Sequence, residues 1–232
     1  MAIVSLALAT LAFVGTHLAL SHPLRLRVIG AVGDQLFLLV YSAVAAVTLL
    51  WMVFAYSAVR DSAPLWIAPD PWWWAASAIM LLASILLVGS FVKNPAFPHP
   101  GIRGKLQPAR PVSGVFAITR HPMNWSFALW AMVHISLWGS PRNLIVAGGI
   151  LVLALLGSAG QDRKKLDTVG ESWRMWMART SFMPFGAVLG RKVTLRAAFS
   201  PGWIAFGGGL ALWLLVTFFH APEASPLAAL LR

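Results

Sequence analysis

The sequence predicts an all-α integral membrane bundle of about six transmembrane helices plus a cytoplasmic amphipathic helix, in a single membrane domain over residues 1–232. Of all residues 59% are hydrophobic and 11% are charged, about half the charged fraction of a typical soluble domain. The mean hydropathy is +0.75. Several apolar stretches also reach the length of about 20 residues that a helix needs to cross a bilayer. These features argue against a water-soluble enzyme.

Six apolar stretches define the predicted spans. Five of them cover residues 2–20, 36–58, 72–92, 143–158 and 203–219. The remaining one, the fourth in the chain, begins between residues 113 and 123 and ends near residue 139. The first lacks a basic start and is too long for a signal peptide, so we expect a retained span. Glycines 207–209 inside the last span indicate close helix packing. Trp66 and the tryptophans at 72–74 are typical of interfacial anchors.

The distribution of basic residues predicts the orientation. Of the 18 Lys and Arg residues, 15 fall in the first, third and fifth connections. Basic loops stay in the cytoplasm, so the sequence predicts a bacterial inner-membrane protein with both termini periplasmic. Topology and anionic lipid account for the net charge of +11, and no nucleic-acid partner is expected. The oligomeric state is left open.

Two cytoplasmic connections are longer than turns. Residues 93–119 are rich in Pro and Gly and are not expected to be helical throughout. The fifth connection carries apolar residues at helical spacing, which predicts an amphipathic helix on the inner membrane surface, either a connector or a cap over a substrate. These residues are Leu166, Val169, Trp173, Trp176 and Met177.

Two histidines lie inside predicted spans, where an ionisable side chain is a functional candidate. His17 lies near the cytoplasmic end of the first span, and His134 lies deep in the fourth. Since the chain has no cysteine, two imidazoles converging in an apolar bundle are typical of the iron ligands of a b-type haem. Basic residues on the same face are candidate partners for the haem propionates. They are Arg25, Arg27 and Arg120.

The haem hypothesis carries a geometric condition. If the fourth helix begins at Pro122, His134 lies about 10 Å deeper than His17. A shared haem then requires the helix to begin earlier and to kink at the proline. His22 and His121 each precede a proline at the cytoplasmic boundary, and either could replace His17 as a ligand.

Other kinds of site lack support in the sequence. No Ser, His and carboxylate set falls within the spans, which argues against a catalytic triad. No P-loop or dinucleotide-binding glycine pattern occurs either.

The segment Gly114-Val-Phe-Ala-Ile-Thr-Arg-His-Pro122 and the following Leu129-Trp-Ala-Met-Val-His134 resemble the NnrU family of bacterial membrane proteins. The likeness covers residues 3–190. It implies a link to nitric-oxide metabolism in denitrifying bacteria, and the family includes a cis-zeta-carotene isomerase that holds haem b between helices. By this resemblance His17 and His134 are the iron ligands and His121 is a catalytic histidine. Ala131 stands where the plant isomerase has a cysteine, so a thiolate ligand is not available here.

A second resemblance is to the membrane isoprenylcysteine and phospholipid methyltransferases, which bind S-adenosylmethionine. It rests on the Arg120-His121-Pro122 motif, residues 166–173 and Pro184. Asn124 and Gln161-Asp162 depart from that pattern at positions that would contact the cofactor or substrate. The similarity therefore indicates shared architecture more than shared chemistry.

The leading functional hypothesis is a haem-b protein that isomerises an apolar polyene, such as a carotenoid, entering from the bilayer. The alternatives are a non-catalytic haem or nitric-oxide-linked accessory protein of denitrification, and a methyltransferase that uses S-adenosylmethionine.

Overall fold

The computed structural model describes residues 1–60, 63–96 and 111–220. Their regular structure is helical, with an isolated antiparallel β-bridge between Ile67 and Trp138. The helices are α1 (Ala2–Ser21), α2 (Arg25–Val32), α3 (Asp34–Ala58), α4 (Asp70–Gly89), α5 (Val115–Ile118), α6 (Pro122–Leu137), α7 (Pro141–Val169), α8 (Glu171–Arg179), α9 (Gly186–Leu189), α10 (Leu195–Ala198) and α11 (Trp203–His220).

The apolar stretches form the helices that the sequence predicts. Within the described ranges, five helices, α1, α3, α4, α7 and α11, are long and apolar enough to cross a membrane. The remaining predicted span is α6, whose 16 residues extend about 24 Å, somewhat less than a bilayer core. The chain is a multi-pass membrane protein.

The fourth span begins at Pro122 and does not continue back into α5. Thr119 has an extended backbone, with φ −154° and ψ 150°, and it separates α5 from α6. Proline favours the first position of a helix because its missing N–H would have no partner there. The earlier start with a kink, which a haem shared by His17 and His134 requires, is therefore absent.

The amphipathic helix differs from its prediction in extent and in what it covers. Gly170 has φ +65°, a conformation that ends helices, so Leu166 and Val169 belong to α7. Helix α8 keeps the two tryptophans, Trp173 and Trp176, and both are buried in the protein. The largest side chains of this apolar face therefore pack on the protein.

The chain divides into two compact units. The first contains Met1–Ala68 and Ala131–Gln161, and the second contains Pro69–Trp130 and Asp162–Arg232.

In the first unit, α1 and α3 pack through small and medium apolar side chains, joined by apolar residues of α7. The buried cluster consists of Leu6, Ala9, Phe13, Val14, Met52, Ala55 and Val59. Two contacts fix the register of α1 beside α7. A Cβ on Gly149 would meet the Thr10 side chain, and one on Gly160 would overlap the His22 ring.

The far end of this unit is closed by a short paired segment. Gly139 N–H donates to the Trp66 carbonyl (3.0 Å), and Leu65 N–H donates to the Gly139 carbonyl (3.1 Å). The Trp66 indole covers Gly139 and donates from Nε1 to the Ile135 carbonyl (3.1 Å). We call this the Trp66 end of the first unit.

In the second unit, α11 packs closely on α4. A Cβ on Gly209 would lie 2.6 Å from the Ile85 Cα, and one on Gly208 would lie 2.9 Å from Val88. The interpretation as helix packing is confirmed for Gly208 and Gly209, whereas Gly207 has open space around its Cβ. The indole of Trp213 also donates to a carbonyl of α4 (3.1 Å).

Candidate functional site

His17 lies in the last turns of α1, and its tautomer follows from one hydrogen bond. Nδ1 lies 2.8 Å from the Phe13 carbonyl oxygen, four residues earlier. Because a carbonyl only accepts, Nδ1 carries the proton, and in the neutral ring Nε2 carries the lone pair. Fixing one ring nitrogen in this way is how proteins prepare the other nitrogen to bind a metal.

Aromatic rings link His17 to a cation. The His17 ring lies 4.2 Å from Phe13 and 5.6 Å edge-on from Tyr41, and Tyr41 stacks on Phe37 at 6.1 Å. The Arg25 guanidinium lies 4.8 Å from the Phe37 ring centre. We call these residues the His17 site: an imidazole among apolar rings with a cation beside it.

Three residues close to His17 in the sequence have different surroundings. Ser21 Oγ donates to the Tyr41 hydroxyl (3.2 Å), so Ser21 fixes the ring that meets His17. Arg27 is exposed on α2. The His22 ring lies against Gly160 of α7, where it sets helix packing.

His134 lies at the Trp66 end of the unit. Its carbonyl accepts a hydrogen bond from Asn143 Nδ2 (2.8 Å), which places it level with the start of α7. The Thr10 and His22 contacts place His17 level with about residue 155 of that helix. The two histidines are therefore offset by about 11 residues, or roughly 16 Å. Two nitrogens bound to one metal lie about 4 Å apart, so the structure does not bring this pair together.

The second unit contains a buried ionic cluster around Asp162. Arg120 Nε lies 3.1 and 2.9 Å from the two carboxylate oxygens, and Nη2 lies 2.7 Å from Oδ2. The Trp173 indole donates to Oδ1 (3.2 Å), and His121 Nε2 lies 3.1 Å from Oδ1. We call these four residues the Asp162 cluster. One carboxylate joins the segment before α6, the end of α7, and α8.

Backbone contacts hold the Arg-His-Pro segment in this position. Arg120 N–H donates to the Ser181 carbonyl (2.9 Å). The Phe182 carbonyl accepts from Thr119 Oγ1 (2.7 Å) and from Trp125 Nε1 (2.8 Å). The segment is thus fixed against residues 181–185 before its side chains meet Asp162.

This cluster changes what Arg120 and His121 can do. Both ion-pair side chains are 10% exposed, and the His121 side chain is 0% exposed. The charge of Arg120 is directed at Asp162, and the His121 ring is enclosed between Asp162 and Phe182. In this structure both residues hold the segment before α6 against Asp162.

Comparison with known proteins identifies the chain. The model of the NnrU protein family matches residues 5–225. The chain belongs to the NnrU family. The match extends through α11, beyond residue 190, where the sequence resemblance ended.

Two relatives of this NnrU protein are chloroplastic 15-cis-zeta-carotene isomerases. The Zea mays enzyme is 33% identical over 78 residues, which are 33% of this chain and 21% of the relative. The Arabidopsis thaliana enzyme is 32% identical over 83 residues, 35% of this chain and 22% of the relative. The chain therefore aligns with about a fifth of the length of these relatives. No solved structure matches.

The fit of a haem to this NnrU protein can be tested on the geometry above. The His17 site offers a bare Nε2, apolar rings and a nearby guanidinium, which suits one axial ligand and one propionate partner. The predicted partner His134 does not fit the same iron, because of the offset along α7. Among the described residues, no group of three or more His, Cys, Asp and Glu is placed to hold a metal ion.

Sequence reasoning missed Asp162 as the centre of a cluster. Its signal was weak: a single carboxylate just past the apolar part of α7, beside the basic run 163–165. Its partners are separated from it by 42 residues (Arg120) and 11 residues (Trp173), so no local spacing reveals them. His99 lies outside the described residues, and His220 is exposed at the end of α11.

Proposed function

We propose that this NnrU-family protein is an isomerase-like membrane protein that acts on an apolar polyene taken from the bilayer. The observation that supports it is the similarity to 15-cis-zeta-carotene isomerase over 78 residues. The multi-pass apolar architecture fits such a substrate, because a long conjugated hydrocarbon partitions into lipid. A carotenoid with a central cis double bond is the proposed substrate class.

The proposed reaction centre is the His17 site. Its imidazole has Nε2 available while Nδ1–H is held by the Phe13 carbonyl. We propose haem b as the cofactor, with His17 Nε2 as an iron ligand and Arg25 as a propionate partner. When bound, the haem would supply an iron able to weaken a conjugated double bond. Tyr41 and Phe13 lie against the imidazole and hold its plane.

In this proposal His134 is not the second ligand. The offset of roughly 16 Å along the helix axes separates it from His17. The His134 backbone carbonyl accepts from Asn143 Nδ2 and so helps to hold the start of α7 beside α6.

The proposed orientation places the His17 end of the first unit toward the cytoplasm of a bacterial inner membrane. The basic loops support it, since 15 of the 18 Lys and Arg residues fall in the first, third and fifth connections of the sequence. Arg25 would then lie at the lipid–water boundary, where a propionate can meet a cation without leaving water.

The cofactor is tested by visible spectra of purified protein expressed with ample haem, oxidised and reduced. We expect a Soret band in the parent and in His134→Ala, and its loss in His17→Ala. His220→Ala is the matched control, since it removes an exposed histidine. Loss of the band in a folded His134→Ala protein, or its retention in His17→Ala, would contradict the ligand assignment.

The reaction is tested in the dark with 15-cis-zeta-carotene in proteoliposomes under reducing conditions, with isomers separated by chromatography. We expect time-dependent loss of the central cis isomer with the parent. His17→Ala should fall to the protein-free rate, and His220→Ala should match the parent. A haem-loaded parent that converts none of several cis polyenes would refute the isomerase proposal while leaving haem binding intact.

A further inference from the structure

Residues 186–203 of the second unit expose large apolar side chains and bury small ones. Ala187 and Ala198 are buried, at 0% and 2% exposure. The exposed side chains of this segment are much larger: Leu189 at 82%, Leu195 at 58%, Phe199 at 70% and Trp203 at 83%. A water-facing segment has the opposite arrangement, because exposed apolar area is unfavourable in water.

Cations alternate with these apolar residues. Arg191, Lys192 and Arg196 are exposed in the same segment, and no acidic residue occurs between Glu171 and Glu223. The segment therefore has three positive charges and no internal counter-charge. We call residues 186–203 the basic–apolar segment.

The local fold fixes this surface. Helices α9 and α10 are one turn each, and both contact α5. Gly114 N–H donates to the Ala197 carbonyl (3.2 Å), and Thr194 Oγ1 accepts from Ala197 N–H (3.2 Å). The small residues are thus held against the protein, and the large ones are left on the outside.

The segment leads directly into a membrane span. Trp203 is the first residue of α11, which is long and apolar enough to cross a membrane. A chain that enters a span here passes through the headgroup region, where phosphates lie above acyl chains. An interfacial site for anionic lipids has this arrangement: its apolar side chains reach the acyl chains, and its cations reach the phosphates.

We propose that the basic–apolar segment is an interfacial binding site for anionic phospholipids, with Arg191, Lys192 and Arg196 contacting headgroup phosphates. Phe199 and Leu189 insert among the acyl chains beside Trp203. The site is independent of the proposed isomerase function, and it gives α11 a fixed depth in the bilayer.

Depth is tested by site-directed spin labelling, because the chain has no cysteine and each introduced thiol is unique. Labels are placed by Leu189→Cys and Phe199→Cys in phosphatidylcholine/phosphatidylglycerol vesicles. Asp167→Cys, at an exposed site, is the water reference, and Leu215→Cys in α11 is the bilayer reference. We expect collisions with oxygen to exceed those with a water-soluble nickel complex at both test positions. The proposal would be overturned if the nickel complex reached the test positions as readily as it reaches the Asp167 site. It would also be overturned if both reagents were excluded, because that result would indicate a protein partner.

Headgroup preference is tested by native mass spectrometry of full-length protein with equimolar phosphatidylcholine and phosphatidylglycerol. The parent should retain phosphatidylglycerol preferentially. The triple variant Arg191→Gln, Lys192→Gln, Arg196→Gln should lower that preference about fivefold or more, since each cation near an anionic surface contributes about a fivefold preference. The matched control replaces the basic run 163–165 with glutamine. An equal fall in both triple variants would overturn the proposal, because net charge alone would then explain the preference.

Discussion

Replacing Asp162 with alanine tests the Asp162 cluster at its centre. The substitution removes the carboxylate that accepts from Arg120 and Trp173 and that lies beside His121. The guanidinium then stays in a site where its side chain is 10% exposed, with no counter-charge at hydrogen-bond distance.

The expected magnitude follows from burial. Removing one partner of a buried ion pair costs about 3–5 kcal/mol, mostly because the other charge is left unpaired. For a chain of this length that corresponds to a fall in apparent Tm of about 6–20 °C. The assay is thermal denaturation of detergent-purified protein, followed by loss of the monodisperse peak in size-exclusion chromatography.

Two variants make this prediction refutable. Asp167→Ala removes an exposed acid from the same helix and should change the free energy of unfolding by no more than about 0.5 kcal/mol. The double variant Arg120→Met, Asp162→Leu should recover much of the loss, because apolar side chains replace both charges. If Asp162→Ala has the same apparent Tm as Asp167→Ala, the cluster does not stabilise the fold and burial of the ion pair does not have the expected effect.

Three further predictions use the same melting assay. Gly209→Val should lower the apparent Tm by several degrees, because its Cβ would lie 2.6 Å from a backbone atom of α4. Gly207→Val should leave the Tm unchanged, because the space around its Cβ is open. Equal effects of the two variants would contradict the packing of α11 on α4. Thr119→Val should cost about 1–3 kcal/mol, since its buried hydroxyl donates to the Phe182 carbonyl (2.7 Å); no change in Tm would show that water replaces that bond. Arg142→Gln should destabilise the first unit by about 1–2 kcal/mol, because Nη1 donates to the Val59 carbonyl (3.0 Å) at the end of α3; an unchanged Tm would contradict the bond.

The spans were predictable from the sequence because a bilayer leaves few options. Backbone N–H and C=O groups in lipid must be satisfied internally, so an apolar stretch of sufficient length forms a helix. The stretch 36–58 therefore became α3, and 203–219 became α11, with ends shifted by at most two residues. Close packing was predicted correctly for Gly208 and Gly209, which lie against α4, but not for Gly207, which has open space around its Cβ.

For α8 the sequence predicted the helix but not its packing partners. Hydrophobic periodicity shows that Trp173 and Trp176 share a helix face, but not what that face covers. A buried carboxylate from α7 meets the Trp173 indole, so this side chain packs on protein.

The sequence by itself determined the fold class, the membrane setting and the chemical type of each candidate residue, because burial in lipid constrains each helix separately. Only the tertiary structure decided which residues meet. It joined Arg120 to Asp162 across 42 positions and placed His17 and His134 at different levels of one unit. Those outcomes depend on the register between helices, which is set by contacts such as Thr10 with Gly149 and leaves no periodic trace along the chain.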